Sequence, residues 1–471
     1  MSKEITLSMV DGVRVVVPDS LELITPYVLQ EQLDWFEPEI KFLRRALKPG
    51  QRVIDIGANY GVFALSMAKT VGATGKVWAF EPANSTANFL EKSIAANRFE
   101  HVDLQRCALS NEIGTTQFIV GQHAELNSIA RGGADSAGNL ETVQVRTLDE
   151  RMGALAWSDI DFIKIDAEGE EVNILLGGKI FFLKNSPLVQ FEVKVSGDAD
   201  LSLIPMFKAM GYDAYELVPG LDLLTPFRAD NKLDGYLLNM FACKPDRAEA
   251  LAQEGKLVTM DTLQKKENQE TAVLEIARAN PAYGWRNALA TLPYAASLAS
   301  QWEQAMSAQD NSQLLDALAL YALSRDMKTA PAQRFVALTG SLYRFALIIQ
   351  RKPTFRHRAS YARIASEAGQ RKNAVDVLIQ MIQSGHQGNE LDLFEPFLAP
   401  CERFDRLRLS APPSHWAMCA MHEQYEWLCA HSSFYVTAQA IQRLQFVEQL
   451  GFLGEDMRRR LNVARRRLVK K

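Results

Sequence analysis

The stretch VIDIGANYG, Val53–Gly61, decides the fold of this chain. It closes a short apolar strand, Gln51–Ile56, with a glycine turn that leads into a helical stretch, Val62–Val71. Glycine at positions 57 and 61 lets a strand bend sharply into a helix and brings the backbone close to a ligand. The stretch therefore predicts the first strand–turn–helix unit of an α/β domain, with a ligand site at the turn.

Strand-like and helix-like segments alternate through the rest of the first half. Strands are predicted at Val77–Phe80, Val102–Arg106, Asp161–Ile165 and Leu188–Val193, with a helix over Ser85–Asn97. Strands that are apolar on both faces and alternate with helices indicate a mainly parallel sheet covered on both sides. Right-handed crossovers then give a doubly wound, Rossmann-like architecture.

Four further segments depart from this repeat. Thr115–Val120 and Thr142–Thr147 alternate like the strands of a hairpin, and Tyr212–Leu217 and Tyr236–Cys243 are strand-like without a helix between them. The last two segments predict an antiparallel pair at the edge of the sheet.

The residue pattern changes after about Pro245: leucine, alanine and arginine recur at helical spacing, and no further strand is predicted. We therefore predict two domains, an α/β domain over residues 1–245 and an all-α domain over residues 246–471. Tyr361–Ser384 is two predicted helices joined near Gly369, spaced as in tetratricopeptide hairpins. A single such match leaves two alternatives, a solenoid-like array and an irregular bundle.

Charge is divided unevenly along the 471 residues. Residues 1–245 hold 23 Lys+Arg against 33 Asp+Glu, and residues 246–471 hold 29 against 23, eight of the 29 within Met457–Lys471. A nucleic-acid-binding domain has a broad basic face, so nucleic acid is not predicted as a partner. The basic tail could contact an anionic membrane surface weakly. The favoured alternative is a solvated last helix whose positive charges complement its own dipole. Without a signal-like N-terminus or a long apolar run, we expect the chain to be cytoplasmic.

Acidic residues follow the first two strands. Asp55 lies at the end of the first strand and can hold loop amides or the ammonium group of a ligand. Glu81 comes directly after the second strand, where a carboxylate can accept hydrogen bonds from both hydroxyls of an adenosine ribose. A glycine turn combined with this acid predicts a nucleoside site.

The residues of the turn narrow the choice of nucleoside. A dinucleotide fingerprint that starts at Gly57 needs glycine at positions 59 and 62, where the chain has Asn59 and Val62. A phosphate loop would need lysine after Gly61. The turn therefore suits a ligand that has a ribose and an amino-acid group but no phosphate, and S-adenosylmethionine is such a ligand.

The chain resembles the FkbM family of class I methyltransferases. The stretches that match, in family order, are VIDIGANYGVFAL, VWAFEP, ALSNEIG, VQVRTLDE, DFIKIDAEGEE, VQFEV and GYDAYEL, within roughly residues 38–245. The resemblance implies methyl transfer from S-adenosylmethionine to oxygen, typically a hydroxyl of a sugar, glycolipid or secondary metabolite. It also implies a set of cofactor-binding positions: Asp55, Gly57, Asn59, Gly61, Glu81 and, beside the adenine, Ala108.

Three acids are the candidates for the acceptor side of the reaction. Asp166 lies at the carboxyl end of the strand in DFIKIDAEGEE, and Glu168 and Glu192 would lie at the same mouth. A carboxylate there could act as general base toward a hydroxyl or orient it. The alternative is that Asp166 caps a helix whose first turn carries the glutamates. Asp166 and Glu192 could share a divalent metal, but no third ligand is evident, so no metal site is predicted.

Three functions therefore remain open at this point. The first is an O-methyltransferase for a small-molecule or glycan acceptor, whose helical domain recruits a protein partner, mediates self-association or shapes the acceptor site. The second is an NAD-dependent oxidoreductase, which Asn59 and Val62 oppose. The third is a non-catalytic interaction protein that keeps a methyltransferase scaffold.

Overall fold

The structure, a computed structural model, describes residues 3–121, 128–129, 139–193, 195–196, 198–199, 201–228, 234–264, 266–280, 283–308, 311–385, 391–409 and 412–469. The strands are β1 Glu4–Ser8, β2 Arg14–Pro18, β3 Arg52–Ile56, β4 Lys76–Phe80, β5 Val102–Gln105, β6 Ala108–Leu109, β7 Gly114–Val120, β8 Ser128–Ile129, β9 Asn139–Arg146, β10 Phe162–Ile165, β11 Leu188–Glu192, β12 Val195–Ser196, β13 Asp198–Ala199, β14 Asp213–Val218, β15 Leu223–Pro226 and β16 Asn239–Cys243.

The helices of the first half are α1 Ile24–Gln32, α2 Pro38–Ala46, α3 Val62–Val71, α4 Asn84–Asn97, α5 Leu148–Ala154, α6 Glu171–Leu176, α7 Lys179–Lys184, α8 Leu203–Ala209 and α9 Pro245–Gln253. Those that follow are α10 Met260–Gln264, α11 Lys266–Ala279, α12 Trp285–Leu289, α13 Pro293–Ala308, α14 Ser312–Arg325, α15 Pro331–Arg351, α16 Phe355–Glu367, α17 Arg371–Gly385, α18 Pro413–Leu428, α19 Thr437–Gln449 and α20 Glu455–Val469. Within the described ranges, no helix is both long and apolar enough to cross a membrane.

The main sheet has the strand order β15-β14-β16-β11-β10-β3-β4-β5. The run from β11 to β5 is parallel, and β16, β14 and β15 continue it as antiparallel strands. The predicted doubly wound, mainly parallel sheet with an antiparallel edge is therefore confirmed. Each predicted strand of this sheet agrees with the structure to within a few residues at its ends.

The parallel strands are buried on both faces, which explains their unbroken apolar sequence. In β3, Val53 packs in the core that includes α2 and α3, whereas Ile54 and Ile56 pack in the core that includes α6 and α7. Asp55 points to the same side as Val53 because side chains alternate along a strand. A carboxylate is thereby placed inside an apolar layer.

A smaller sheet of order β6-β9-β7-β8 lies beside the main one. Its central pair, β7 and β9, is antiparallel, as predicted from the alternation at Thr115–Val120 and Thr142–Thr147. Phe118 of β7 and Ala108 of β6 pack with Ala83, next to the end of β4. The small sheet thus lies against the carboxyl end of β4.

The second half of the chain is helical, as predicted. Helices α14 to α18 pack in sequence, each against the next, and α16 and α17 are joined at Gly369, which has a φ of 82°. Their core also takes in Val218, Leu221 and Leu223 from the antiparallel edge of the sheet. The helical region therefore covers the sheet's edge.

The helical region also reaches the opposite side of the α/β domain through α20, which packs on α1. Glu31 of α1 pairs with Arg460 of α20 at 3.2 Å, and Arg460 lies 3.1 Å from Glu426 of α18, all three side chains being at most 1% exposed. The expectation of a solvated last helix is therefore wrong for this face of α20, where Leu461 and Val463 are also buried. Membrane contact by its outer face stays a prediction.

Candidate functional site

A cavity of about 320 Å³ lies at the carboxyl ends of β3, β4, β10 and β11. The chain leaves β3 toward β4 on one side and returns through β10 on the other, so the cavity lies at the switch point of the sheet, where open α/β sheets bind ligands. Eight of the nine residues predicted for the site line this cavity: Asp55, Gly57, Asn59, Glu81, Ala108, Asp166, Glu168 and Glu192.

Gly57 is the point where two strand ends approach most closely. Its φ is 78°, and a Cβ added there would lie 1.7 Å from the carbonyl oxygen of Asp166. Strand β10 pairs with β3 so that Ile165 faces Ile56, which brings the loop after β10 directly against the turn. Only glycine fits this contact.

Gly61, the ninth predicted residue, lies outside the set of described residues that line the cavity. It precedes α3 with a φ of 91°, and a Cβ there would lie 2.4 Å from Cδ1 of Leu90. The structure thus gives Gly61 a role in packing α3 against α4, and its direct contact with a cofactor stays a prediction.

Asp55 is a buried carboxylate directed at the cavity. Its residue is 1% exposed, and among the described residues neither carboxylate oxygen has a hydrogen-bond partner of normal geometry. Burial raises the pKa of Asp55 to about 6, and the charge of Lys164 opposes that rise. Because a buried carboxylate without a donor is costly, Asp55 suits a ligand that brings a cationic N–H group.

Glu81 has a second task besides facing the cavity. Its Oε2 accepts a hydrogen bond from the Asn59 amide, and its Oε1 accepts one from the Ala83 amide, both at 2.9 Å. Burial raises the pKa of Glu81 to about 7, although these two amides lower it. Each oxygen retains capacity for another donor, so Glu81 holds the glycine turn while it remains able to bind ribose hydroxyls.

Asp166 forms an ion pair instead of capping a helix. Its Oδ2 lies 2.6 Å from Nζ of Lys164, which is 3% exposed, and α6 begins only at Glu171, with Glu170 at the N-cap. The alternative of Asp166 as a cap is therefore wrong. Glu171 instead accepts the amide of Ala167 at 3.0 Å, which shapes the turn after β10.

Asp166, Glu168 and Glu192 come together at the mouth of the cavity, with one carboxylate oxygen of each within 4.8 Å of the others. Glu168, which has a φ of 49° and was expected at this mouth, offers the third potential metal ligand that the sequence did not indicate. Like charges at this separation are relieved by a proton or a cation. The cluster can thus take up a proton from a ligand, and its residue types would also suit a divalent ion.

Sequence reasoning missed a second part of the cavity lining. Trp35, Phe36 and Glu37 come from the segment between α1 and α2, and His431 and Tyr435 come from the segment between α18 and α19. Glu37 accepts hydrogen bonds from the indole of Trp35 and from the Asn239 side chain, each at 2.9 Å, and burial raises its pKa. No motif marks these positions, and His431 and Tyr435 reach the cavity only through the packing of the helical region.

Part of the chain is similar to known proteins. Residues 55–214 match the family described as the methyltransferase FkbM domain. No curated protein matches the chain.

Three solved structures are among those similar to part of the chain. An FkbM methyltransferase from Methylobacillus flagellatus KT is 14% identical over 44% of this chain and 50% of its own length, with a TM-score of 0.28, so the match spans about half of that protein. A SAM-dependent O-methyltransferase from Thermotoga maritima is 16% identical over 51% and 77%, with a TM-score of 0.26. A Streptococcus mutans protein solved in complex with SAH is 10% identical over 44% and 95%, with a TM-score of 0.27.

Proposed function

We propose that this chain transfers a methyl group from S-adenosylmethionine to a hydroxyl oxygen of a small-molecule or glycan acceptor, a proposal that the match of residues 55–214 to the methyltransferase FkbM domain supports. The observation that carries the proposal is that one cavity collects the buried Asp55, the glycine turn, Glu81 and a second group of acids around Asp166. A sugar, glycolipid or secondary metabolite would supply the hydroxyl.

The residues of the turn fit the cofactor. Asp55 would pair with the ammonium group, Glu81 would accept the ribose hydroxyls, and the strand-end segment at Ala108 would face the adenine. Among the described residues of the lining, the one lysine, Lys164, is paired with Asp166, so these residues offer no free lysine for a pyrophosphate. This charge balance supports a cationic, phosphate-free nucleoside and opposes the NAD-dependent alternative.

S-adenosylmethionine, when bound, supplies an electrophilic methyl carbon. The chain's own task is to orient the acceptor oxygen and take its proton. Asp166, Glu168 and Glu192 lie on one side of the cavity mouth, where a carboxylate could receive that proton. Lys164 holds Asp166 in place through the 2.6 Å ion pair and leaves its second oxygen for the acceptor.

The mouth also favours a neutral, oxygen-rich acceptor. Trp35, Phe36 and Tyr435 offer apolar faces, while the acids of the same cavity would repel a phosphate or carboxylate group. Aromatic faces combined with hydrogen-bonding carboxylates suit the alternating apolar and hydroxyl surfaces of a saccharide.

Calorimetry with S-adenosylmethionine and, separately, with NAD⁺ tests the cofactor. We expect saturable binding of the first and none of the second, and Asp55→Asn should weaken the first. Methyl transfer is tested by incubating the protein with S-adenosylmethionine labelled in its methyl group and a low-molecular-mass cell extract, followed by a search for products heavier by one methylene. Binding without any transfer would instead support a non-catalytic scaffold.

A further inference from the structure

Residues 429–436 connect α18 to α19, and we name them the cap loop. Although the cap loop belongs to the helical region, it is fixed to α1 of the α/β domain. Glu31 accepts hydrogen bonds from the Ser433 amide at 2.9 Å and the Ser432 hydroxyl at 2.6 Å, and Gln32 donates to the carbonyl of His431 at 2.9 Å. The cap loop is therefore a built wall of the cavity.

Arg371 of α17 fixes the tautomer of His431, a histidine of the cap loop. Its Nη1 lies 2.8 Å from Nδ1 of His431, and its Nε donates to the carbonyl of Leu428 at 2.8 Å. Arginine can only donate, so Nδ1 of His431 must be the unprotonated acceptor. The ring proton of the neutral histidine is therefore on Nε2, on the edge of the ring away from Arg371.

The surroundings of His431 keep it neutral. The ring of Phe36 lies 5.2 Å from the imidazole, centroid to centroid, and that of Tyr236 lies 6.3 Å away, so Arg371 is the charged group that faces it. Burial, followed by the charge of Arg371, lowers the pKa of His431 to about 3. With Nδ1 occupied and Nε2 protonated, this histidine cannot serve as a general base.

We propose that His431 orients the methyl acceptor by donating a hydrogen bond from Nε2 to one of its oxygens, and that Arg371 is the positioning residue that holds His431 in this state. The inference rests on the proposed methyl transfer. His431 lines the cavity together with the acids around Asp166, so the acceptor would meet a fixed donor from the helical region and proton acceptors from the sheet. Such a donor selects acceptors with an oxygen lone pair at that point.

Nitrogen-15 NMR of protein labelled in its histidines tests the positioning directly, with the His431 signal assigned by its loss in His431→Phe. We expect a protonated Nε2, a bare Nδ1 and no titration between pH 5 and pH 8. In Arg371→Met the pKa of His431 should rise but stay below the ordinary value of about 6.5, because burial is the larger cause of its decrease, and in Arg371→Lys it should rise less. A proton on Nδ1, or titration in this range in the wild-type protein, would overturn the proposal.

The transfer assay with labelled S-adenosylmethionine and the low-molecular-mass extract tests the contact with the acceptor. His431→Phe should lower transfer by about tenfold, the effect of one lost hydrogen bond in a closed site, while affinity for S-adenosylhomocysteine stays within about twofold. His431→Gln, which retains an N–H donor, should recover part of the rate, and His415→Phe in α18 serves as the matched control. Unchanged transfer in His431→Phe would refute the inference alone, whereas no transfer by the wild-type protein would refute the proposed function as well.

Discussion

Affinity for S-adenosylhomocysteine should rise between pH 5 and pH 7, because Asp55 must lose its proton to pair with the ammonium group of the ligand. This product is the better probe than the cofactor, since it has the ammonium group but no sulfonium charge. Burial raises the pKa of Asp55 to about 6 in the empty cavity. Asp55 is then ~10% ionised at pH 5 and ~90% ionised at pH 7, a change of about tenfold or ~1.3 kcal/mol.

Glu81 acts in the same direction, since burial raises its pKa to about 7 and ribose hydroxyls favour the ionised form. Affinity for S-adenosylhomocysteine should therefore rise by at least about tenfold between pH 5 and pH 7. The same two carboxyls contribute to stability in the opposite direction. Because both bind protons more tightly in the folded chain than in the unfolded one, their contribution to the free energy of unfolding falls as the pH rises from about 4 to 7. Tighter binding at pH 7 is therefore not a consequence of stabilisation of the fold by Asp55 or Glu81.

Isothermal titration calorimetry at pH 5, 6 and 7 provides the measurement, with circular dichroism to confirm folding at each pH. Asp55→Asn should bind at pH 7 about as weakly as the wild-type protein does at pH 5 and should lose the Asp55 part of the pH dependence. Asp326→Asn, in the turn after α14, is the matched control. A wild-type dissociation constant that stays within twofold from pH 5 to pH 7 would refute the reasoning.

Three further predictions concern the frame of the site. Gly57→Ala should abolish cooperative unfolding in urea, because its Cβ would overlap the carbonyl oxygen of Asp166, while Gly153→Ala, with nothing within 4 Å, should change stability by at most about 1 kcal/mol. Glu31→Gln should lower the free energy of unfolding by ~3–5 kcal/mol, because it leaves Arg460 in a weakened buried pair. Adding Arg460→Met should restore part of that stability. If the double variant instead loses the sum of the two single losses, the pairing is contradicted. Asp166→Asn should keep its affinity for S-adenosylhomocysteine but lose methyl transfer to the extract by at least about tenfold, and full transfer would remove Asp166 from the role of base.

The α/β domain could be predicted from the sequence because its determinants are local. Gly57 follows an apolar strand, Glu81 follows the next, and the carboxyl ends of parallel strands meet at one edge. The same rule placed Asp166 and Glu192 at that edge. The contact between Gly57 and the carbonyl of Asp166 adds the physical reason why the turn tolerates no side chain.

The other half of the site could not be predicted because its determinants are distant in sequence. His431 has no motif around it, and its place in the cavity depends on Glu31, Gln32 and Arg371, which belong to two other helices. The role of Asp166 was also ambiguous, because five residues, 166–170, separate the end of β10 from the start of α6. Turn geometry of this kind is not encoded by residue periodicity.

The anchoring of the cap loop to α1 has a consequence for how the protein matures. Glu31 and Ser433 are 402 residues apart, so during synthesis the α/β domain emerges long before the partner that completes its cavity. Until the second half has been made, Glu31 has no counterion from α20 and the cavity has no cap loop. The cavity is therefore complete only after the helical region has docked, which would tie the proposed methyl transfer to chains in which both halves are folded.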